Sequence, residues 1–399
     1  MSEKGQRLEG EAEIPGATKI IFGPDKAFTA INAELDEIGA SRAFIVTGNT
    51  LANKTDLIPR LVKALGKRSV GVFDGMRMHT PRDAVLASAG MARKAGADIL
   101  IGVGGGSPIV GTKGTALVLA EGEDMDALCT RYDHIAKTYV VPKLTHRKLP
   151  IIVIPTTLSA GEFNSSMGIT NPATGGKDIF VDPGVVPHTI IFDPVMTLAT
   201  PPWLWGSTGV KGLQNAVERY MSRNRSPFSE GLGLEAIKIV FRYLKHSVDD
   251  PSDMFARGNL QFLNWMTAFG GGKGGFGLGH GICHQLGGLC HVPHGVAGCI
   301  VLPHMMEYNR PVTLERQRHI AEAMGIVGVS DEEASVKATA KVRGLVQSMG
   351  LPGRLRNADV AEADLPKVAE LALRDRSLNG APRPPKDAAE ILGLLRKMY

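Results

Sequence analysis

The sequence has few cysteines, no long apolar run and no concentrated block of charge, and each shortage excludes a class of protein. Four cysteines among 399 residues cannot form the framework of a small disulfide-stabilised domain. No apolar stretch reaches the roughly 20 residues that span a bilayer, so we expect no membrane partner. The N-terminal stretch 1–16 is polar and lacks the apolar core of a signal peptide. We therefore expect a cytoplasmic protein with reduced thiols.

The charge is modest and evenly distributed. The formal net charge is +5, with 21% charged and only 6% aromatic residues, and no five like charges follow one another. A basic stripe with interleaved aromatic residues is missing, so we expect no nucleic-acid partner. The surplus fits an ordinary solvated surface that favours anionic small molecules. At roughly 100–200 residues per domain, this length predicts two domains.

The hydrophobic pattern changes partway along the chain. Short β-branched runs alternate with helical stretches in the first part; the runs are 19–22, 43–46, 69–73, 98–103 and 151–154, and the stretches are 25–38, 57–65 and 81–94. Such alternation with apolar strands predicts a mostly parallel sheet covered by helices. Afterwards apolar residues recur every three or four positions, which is typical of helices. We predict an α/β domain over 1–193 and an all-α domain over 194–399.

One strand runs directly into the most glycine-rich turn of the first domain. The strand 98–103 is followed by Gly104, Gly105, Gly106 and Ser107, here called the glycine turn, and then by a helix. Glycines let a backbone approach a ligand closely, and a helix N-terminus presents free N–H groups to an anion. Lys113, further along this helix, could add positive charge. The turn predicts a seat for a cofactor diphosphate; a tight turn without a ligand is the alternative.

Two further strand ends carry polar or small residues. The G-x-G-x-x-G fingerprint is absent, and Gly48 and Asn49 stand where a ribose-binding carboxylate is usual. With Lys54 nearby, this allows NADPH as well as NADH. The strand 151–154 leads into a hydroxyl-rich stretch. These hydroxyls suit contacts with a phosphate or a nicotinamide; a capped loop that binds no ligand is the alternative. The residues of this hydroxyl loop are Thr156, Thr157 and Ser159.

The segment 121–148 has mixed charge and little periodicity. It predicts a long surface connection. Covering of the cofactor site and an oligomer contact are both open roles.

Histidines concentrate in the second domain. Four of the 11 histidines fall within fifteen residues: His280, His284, His291 and His294. The first two are four residues apart, which places them on one helix face. A divalent metal site, a general acid/base pair and structural histidines are the three interpretations. The neighbouring Cys283 and Cys290 fit no zinc-finger spacing, which favours buried free thiols.

Several motifs in this order resemble the iron-type (group III) alcohol dehydrogenases over nearly the whole chain. They are the glycine turn, Pro155-Thr156-Thr157, Phe192-Asp193-Pro194, a helix start at Thr208-Gly209, and HGICHQLGG followed by VPHG. Within this family the sequence is most similar to the maleylacetate reductases, through Met78-His79-Thr80-Pro81, Gly111-Thr112-Lys113 and Ala381-Pro382-Arg383-Pro384. The resemblance implies a dinucleotide-binding α/β domain, a helical C-terminal domain and a homodimer. It also implies NADH- or NADPH-dependent reduction of maleylacetate to 3-oxoadipate in the breakdown of aromatic compounds.

The sequence departs from the metal-binding members of the family. They carry Asp and His four residues apart on the helix after the Thr-Gly pair, where this chain has Lys211 and Asn215. The other two ligand positions keep His280 and His294. An ammonium in place of a carboxylate repels a divalent ion and removes an anionic ligand, so we expect no metal.

Without a metal, the side chains themselves have to stabilise the charge that hydride transfer places on oxygen. We hypothesise that Lys211 donates to this oxyanion and that His284 or His280 supplies the proton. The expected substrate contacts are Asn215, Lys273 and His294, and Arg82 is a further candidate for a substrate carboxylate.

Three other functions remain open at this point. The first is an alcohol or aldehyde dehydrogenase with another carbonyl substrate. The second is a lyase related to dehydroquinate synthase, and the third is a cofactor-binding protein without turnover.

Overall fold

The computed structural model describes residues 10–14, 18–133, 138–269 and 276–399. The chain divides into two compact units, Met1–Thr200 and Pro201–Tyr399. This division lies seven residues after the predicted boundary at 193.

The N-terminal unit is built on a seven-stranded sheet with the order β1-β2-β11-β8-β5-β3-β4. All neighbouring pairs are parallel except β1 with β2. The described strands of this unit are β1 Gly10–Ile14, β2 Thr18–Phe22, β3 Ala43–Val46, β4 Ser69–Phe73, β5 Ile99–Gly104, β6 Arg131–Asp133, β7 Thr138–Val140, β8 Ile151–Pro155, β9 Ser166–Thr170, β10 Lys177–Val181 and β11 Thr189–Phe192. Every residue of β3, β5, β8 and β11 is buried, as expected for a parallel sheet covered on both faces.

Helices follow the strands as the sequence predicts. They are α1 Lys26–Thr29, α2 Ile31–Ile38, α3 Asn49–Lys54, α4 Leu57–Leu65, α5 Arg82–Lys94, α6 Gly106–Glu121 and α7 Met125–Leu128. The stretch predicted as one helix over 25–38 is two helices that meet at Ala30. The carboxylate of Asp193 accepts hydrogen bonds from the backbone N–H groups of Asp25 and Ala27, which ties the first turn to the end of β11.

The segment 121–148 is fixed at both ends. Buried Lys148 contacts the carboxylates of Glu121 and Asp182, the latter at 2.6 Å. His146 Nδ1 lies 2.8 Å from a Glu121 oxygen. Between these ends the segment contains α7, β6 and β7, so it is a connection with short elements of its own.

The C-terminal unit is helical in its described part, as predicted. Its α-helices are α8 Pro202–Met221, α9 Pro227–Asp249, α10 Met254–Phe269, α11 Leu278–Leu289, α12 His294–Ala323, α13 Asp331–Ser348, α14 Leu365–Ala372 and α15 Ala388–Met398. No described helix is long and apolar enough to cross a membrane.

The expected helix start at Thr208-Gly209 is wrong. The helix α8 begins two turns earlier at Pro202, a residue that suits a first helical turn because it needs no backbone donor. Gly209 lies inside α8, where a Cβ would stand 2.3 Å from Leu244 of α9. The pair of residues therefore marks the close approach of two helices.

We predict that Glu121 stabilises the fold at neutral pH through Lys148. Burial raises the pKa of Glu121, but hydrogen bonds from Lys148 and His146 outweigh it and lower the pKa to about 2. Replacing Glu121 with Gln should reduce the free energy of unfolding by about 1–3 kcal/mol at pH 7. Because the folded-state pKa is depressed, this difference should be constant above about pH 4.5 and shrink as the pH falls towards 2.

Urea unfolding of wild type and variant between pH 7 and pH 2.5 measures this difference. The control is Glu123→Gln, which removes an exposed ion pair to Arg93 and should cost less than about 1 kcal/mol. Equal losses in the two variants would contradict the role of Glu121.

Candidate functional site

The glycine turn connects β5 to the N-terminus of α6. Gly104 has a φ of +142°, a conformation that residues with a side chain rarely adopt. A Cβ there would also stand 2.8 Å from Pro108. The backbone N–H groups at the start of α6 therefore lie next to a surface without side chains, which is the arrangement that binds an anion.

The hydroxyl loop lies directly against the glycine turn. The strands β5 and β8 are parallel neighbours, and the Thr156 N–H donates to the Gly104 carbonyl at 2.9 Å. A Cβ on Gly105 would stand 3.2 Å from Thr157, and one on Gly106 would stand 3.4 Å from the Ser159 hydroxyl. The Thr157 hydroxyl is buried and finds no hydrogen-bond partner among the described residues. A buried hydroxyl beside a glycine cradle fits a ligand that accepts hydrogen bonds.

Gly48 and Asn49 lie at the end of β3, which is the other neighbour of β5. A Cβ on Gly48 would stand 3.3 Å from the Met76 carbonyl, so the backbone is closely packed here too. The Thr47 hydroxyl is buried and unpartnered within the described residues. The structure thus brings the nine residues predicted for the cofactor to the carboxyl ends of three adjacent strands, where parallel sheets bind ligands.

A strained turn that the sequence reasoning missed holds Ser107. His79 and Thr80 have φ values of +63° and +52°, and such conformations cost about 1–2 kcal/mol per residue. The His79 N–H donates to the Ser107 hydroxyl oxygen at 3.1 Å, and the Thr80 hydroxyl donates to the Ser107 carbonyl at 3.2 Å. The Ser107 hydroxyl accepts one bond in this way and keeps its own proton to donate.

Lys113 does not add charge to the glycine turn as expected. Its ammonium is fully buried and donates to the carbonyl oxygens of Gly161 and Asn164, both at 2.6 Å. Burial lowers its pKa to about 8, and the charge of Glu162 opposes this shift. Lys113 therefore holds the chain that follows the hydroxyl loop against α6.

Arg82 and Lys273 are the two further residues expected near a substrate carboxylate. Arg82 already forms ion pairs with Asp126 at 2.8 Å and Asp178 at 2.6 Å, so its charge is satisfied within its own unit. Lys273 lies outside the described residues.

Three of the four clustered histidines come together in the C-terminal unit. His280 and His284 lie on α11, and His294 is the first residue of α12. The ring centroids of His280 lie 6.0 Å from His284 and 5.8 Å from His294, and those of His284 and His294 are 5.6 Å apart. We call these three residues the imidazole cluster.

His280 is buried, and protein oxygens face both of its ring nitrogens. Nε2 lies 3.0 Å from the Asn215 Oδ1, and Nδ1 lies 3.1 Å from a Glu218 carboxylate oxygen. Gln214 donates to the other oxygen of Glu218 at 2.7 Å. The Nδ1 atom and this Glu218 oxygen lie at an ion-pair distance without hydrogen-bond geometry, and neither has a hydrogen-bond partner among the described residues.

The charge state of His280 depends on opposing influences. Burial lowers its pKa, the Glu218 carboxylate raises it, and the charges of His284 and Lys211 lower it. The influence of Lys211 also reaches Cys283, whose pKa burial raises strongly. The electrostatics therefore place the Lys211 charge within reach of the imidazole cluster.

His284 is oriented by a carboxylate far away in the sequence. Its Nδ1 lies 3.0 Å from Asp375, and Gln285 donates to the same oxygen at 3.2 Å. Burial raises the pKa of Asp375, but hydrogen bonding to His284 outweighs it and lowers the pKa to about 2. The ionised Asp375 carboxylate accepts a hydrogen bond from the Nδ1–H of His284, and Nε2 of this half-exposed ring is the atom that can exchange a proton with a ligand.

The donor atoms do not fit a divalent metal. A metal would need lone pairs from His280 and His294 and two further ligands, but this chain offers there only the neutral amide of Asn215 and the positive charge of Lys211. Among the described residues, no three His, Cys, Asp or Glu side chains are grouped to hold an ion. The four cysteines are free thiols, three of them buried and Cys290 half-buried.

Sequence reasoning missed Glu218 and Asp375 for different reasons. Glu218 follows Asn215 by three residues on α8, so helical spacing could have indicated it. Asp375 is 91 residues from His284, and nothing local to either residue connects them.

Comparisons with known proteins match this architecture. The N-terminal iron-containing alcohol dehydrogenase model matches residues 17–194, and the C-terminal model of the same family matches residues 206–399. A solved structure of 1,3-propanediol oxidoreductase is 29% identical, with a TM-score of 0.86, and the match covers 98% of this chain and 100% of that chain.

Among curated relatives, 1,3-propanediol dehydrogenase of Klebsiella pneumoniae is 31% identical over 95% of this chain and 96% of its own. Lactaldehyde reductase of Escherichia coli K12 is 32% identical over 89% of this chain and 92% of its own. Maleylacetate reductase 1 of Cupriavidus pinatubonensis is 30% identical over 94% of this chain and 93% of its own. The chain is therefore an oxidoreductase that belongs to the iron-containing alcohol dehydrogenase family.

Proposed function

We propose that this protein is a metal-independent, NADH- or NADPH-dependent reductase of an unsaturated oxo-carboxylic acid, similar to maleylacetate. One observation carries the proposal. Where metal-binding members of the family have two ligands, this chain has Lys211 and an Asn215 that is hydrogen-bonded to His280. At the position where those members bind a metal, this chain thus carries the positive charge of a lysine side chain.

Lys211 replaces the charge of the metal in this proposal. Reduction of a double bond conjugated to a ketone places negative charge on the ketone oxygen. An ammonium that donates to this oxygen stabilises the enolate, as a Lewis acid would. The same charge favours anionic over neutral substrates, which supports a carboxylic acid.

His284 is the better proton donor of the two histidines that the sequence offers. Its Nδ1 is fixed by Asp375, and no described residue forms a hydrogen bond with its Nε2. His280 is buried, with its two nitrogens facing Asn215 and Glu218. We infer that His284, protonated on both nitrogens, gives its Nε2 proton to the enolate carbon and keeps the Nδ1 proton that faces Asp375, and that His280 orders the cluster.

The cofactor assignment rests on the three strand ends. The family uses the NAD(H) dinucleotide, whose reduced nicotinamide supplies the hydride. The glycine turn and the Thr157 hydroxyl would hold the diphosphate, and the Ser107 proton can be donated to a phosphate oxygen. The cytoplasmic, homodimeric state expected from the sequence stays a prediction.

A second candidate is a dehydrogenase that acts on another carbonyl compound, such as an aldehyde. It is favoured by the relatives, because 1,3-propanediol dehydrogenase and lactaldehyde reductase are as similar in sequence as maleylacetate reductase 1. The two candidates differ in the charge of the substrate.

The distinguishing experiment follows NADH and NADPH oxidation with maleylacetate, with lactaldehyde and with 3-hydroxypropanal at equal concentrations. The proposal expects maleylacetate to give a kcat/KM at least roughly a hundredfold higher, about 2.7 kcal/mol of transition-state preference. A preference for either aldehyde would favour the second candidate and contradict the first.

Replacing Lys211 with Met should lower kcat/KM for maleylacetate at least roughly tenfold, about 1.4 kcal/mol, because the enolate loses its cation. Steady-state kinetics with saturating cofactor measure the effect. The control is Lys238→Met on the exposed side of α9, which removes one charge with no expected effect. Near-normal turnover of the Lys211 variant would rule out its role.

Replacing Asp375 with Asn should lower kcat at least roughly tenfold with little change in KM, because His284 loses the acceptor that fixes its Nδ1 proton. The matched control is Asp359→Asn at an exposed left-handed position that Asn tolerates. If both variants keep the wild-type kcat, Asp375 does not act through His284.

Replacing Gly105 with Ala should weaken NADH binding at least roughly tenfold, because the new methyl group lies beside Thr157 where the diphosphate would approach. Fluorescence titration of NADH gives the dissociation constant. The control is Gly90→Ala in α5, where a Cβ meets nothing within 4 Å and binding should not change. Unaltered binding to the Gly105 variant would place the cofactor elsewhere.

A further inference from the structure

A positively charged side chain that forms no ion pair with a described residue lies next to the imidazole cluster. Arg219, near the end of α8, is half-buried, and its Nε is fully buried without a hydrogen-bond partner among the described residues. No described residue forms an ion pair or a hydrogen bond with its guanidinium. Burial lowers its pKa to about 10, against the influence of neighbouring Glu218, so it stays charged at neutral pH.

An aromatic ring links Arg219 to the cluster. The guanidinium carbon lies 4.2 Å from the centroid of Phe276. The Phe276 ring stacks on His280 with centroids 3.7 Å apart and an angle of 11°. Because His280 covers one face of this ring, the guanidinium lies over the other. The three planar groups form a layered stack that holds Arg219 in one orientation.

This arrangement is costly unless an anion completes it. A buried guanidinium presents five donors in a rigid fork, and a cation–π contact offsets about 0.5–2 kcal/mol of its desolvation. The buried Nε keeps no hydrogen-bond partner among the described residues, and an unsatisfied buried donor costs about 1–3 kcal/mol. The planar guanidinium matches a carboxylate particularly well, because the carboxylate accepts two parallel hydrogen bonds from it.

The helix aligns Arg219 with the proposed catalytic lysine. Lys211, Asn215 and Arg219 follow one another at intervals of four along α8, so they share one face. Eight residues correspond to a rise of about 12 Å between the outer two. A substrate that contacts both side chains therefore needs two polar groups that are well separated along its length.

We propose that Arg219 binds a carboxylate of the substrate, so that the enzyme selects a dicarboxylic oxo-acid whose carbonyl end lies towards Lys211. This inference rests on the proposed reductase function, which it makes specific. Arg219 determines specificity: it contacts the substrate at a distance from the reacting carbon. Its loss affects the binding of diacids and spares the chemistry on neutral carbonyl compounds.

The test compares Arg219→Met with wild type in three assays: NADH- or NADPH-dependent reduction of maleylacetate, reduction of a neutral aldehyde, and calorimetric binding of adipate, which cannot react. We expect the KM for maleylacetate and the dissociation constant of adipate to rise at least roughly tenfold. The maleylacetate kcat and the aldehyde kcat/KM should stay within about twofold. The variant Arg219→Lys keeps the positive charge but loses the planar guanidinium. Its KM for maleylacetate and its dissociation constant for adipate should therefore lie between those of wild type and Arg219→Met.

The control variant is Arg396→Met, at an exposed position of α15, which changes the net charge equally. Equal losses of diacid and aldehyde turnover in Arg219→Met would reveal a structural role and overturn the inference, as would unchanged KM and adipate binding. If wild type reduces no oxo-acid, the proposed function fails. Adipate binding that depends on Arg219 would still support a dicarboxylate site in that case.

Discussion

Both ring nitrogens of His280 face oxygen atoms of α8, and the chemistry proposed for the helical unit depends on this constraint. The Glu218 carboxylate lies 3.1 Å from Nδ1, and the Asn215 oxygen lies 3.0 Å from Nε2. The Asn215 contact and the nearby Glu218 carboxylate orient the ring, and the ring in turn stacks on Phe276. In the proposed function, the positive charges of Lys211 and Arg219 on the same face of α8 attract an anionic substrate.

In the N-terminal unit, the feature that matters for the proposed function is a stretch of backbone that a ligand can approach closely. The parallel pairing brings the carboxyl ends of β3, β5 and β8 to one edge, and the three glycines leave the backbone of the turn after β5 without side chains. Buried Lys113 then fixes the chain beside the hydroxyl loop through two carbonyl oxygens. Strained His79 and Thr80 fix Ser107 in the same way. Rigid support of this kind reduces the conformational entropy that cofactor binding would otherwise cost.

Features that depend on local pattern could be predicted from the sequence. The alternation of apolar strands and helices predicted the parallel sheet, and the run Gly104-Gly105-Gly106-Ser107 predicted the turn between β5 and α6. The spacing of His280 and His284 gave a shared helix face. Each of these is set by residues within one or two turns of each other, where periodicity and backbone freedom decide the structure.

Features that depend on tertiary contacts could not be predicted. Lys113 looked like a phosphate ligand, but its ammonium finds carbonyl acceptors about fifty residues away. Arg82 looked available and is satisfied by Asp126 and Asp178. The pairing of Asp375 with His284 and the approach of α9 to Gly209 are likewise set by packing between distant segments.

The central claim is that side-chain cations replace a metal at the imidazole cluster. The most direct measurement is the rate of maleylacetate-dependent NADH or NADPH oxidation by purified protein of known metal content, before and after chelation and after addition of Fe²⁺ or Zn²⁺. The account predicts the same rate in all three states, with far less than one metal ion per chain. Iron or zinc near one per chain, with activity lost on chelation and restored by the ion, would contradict it.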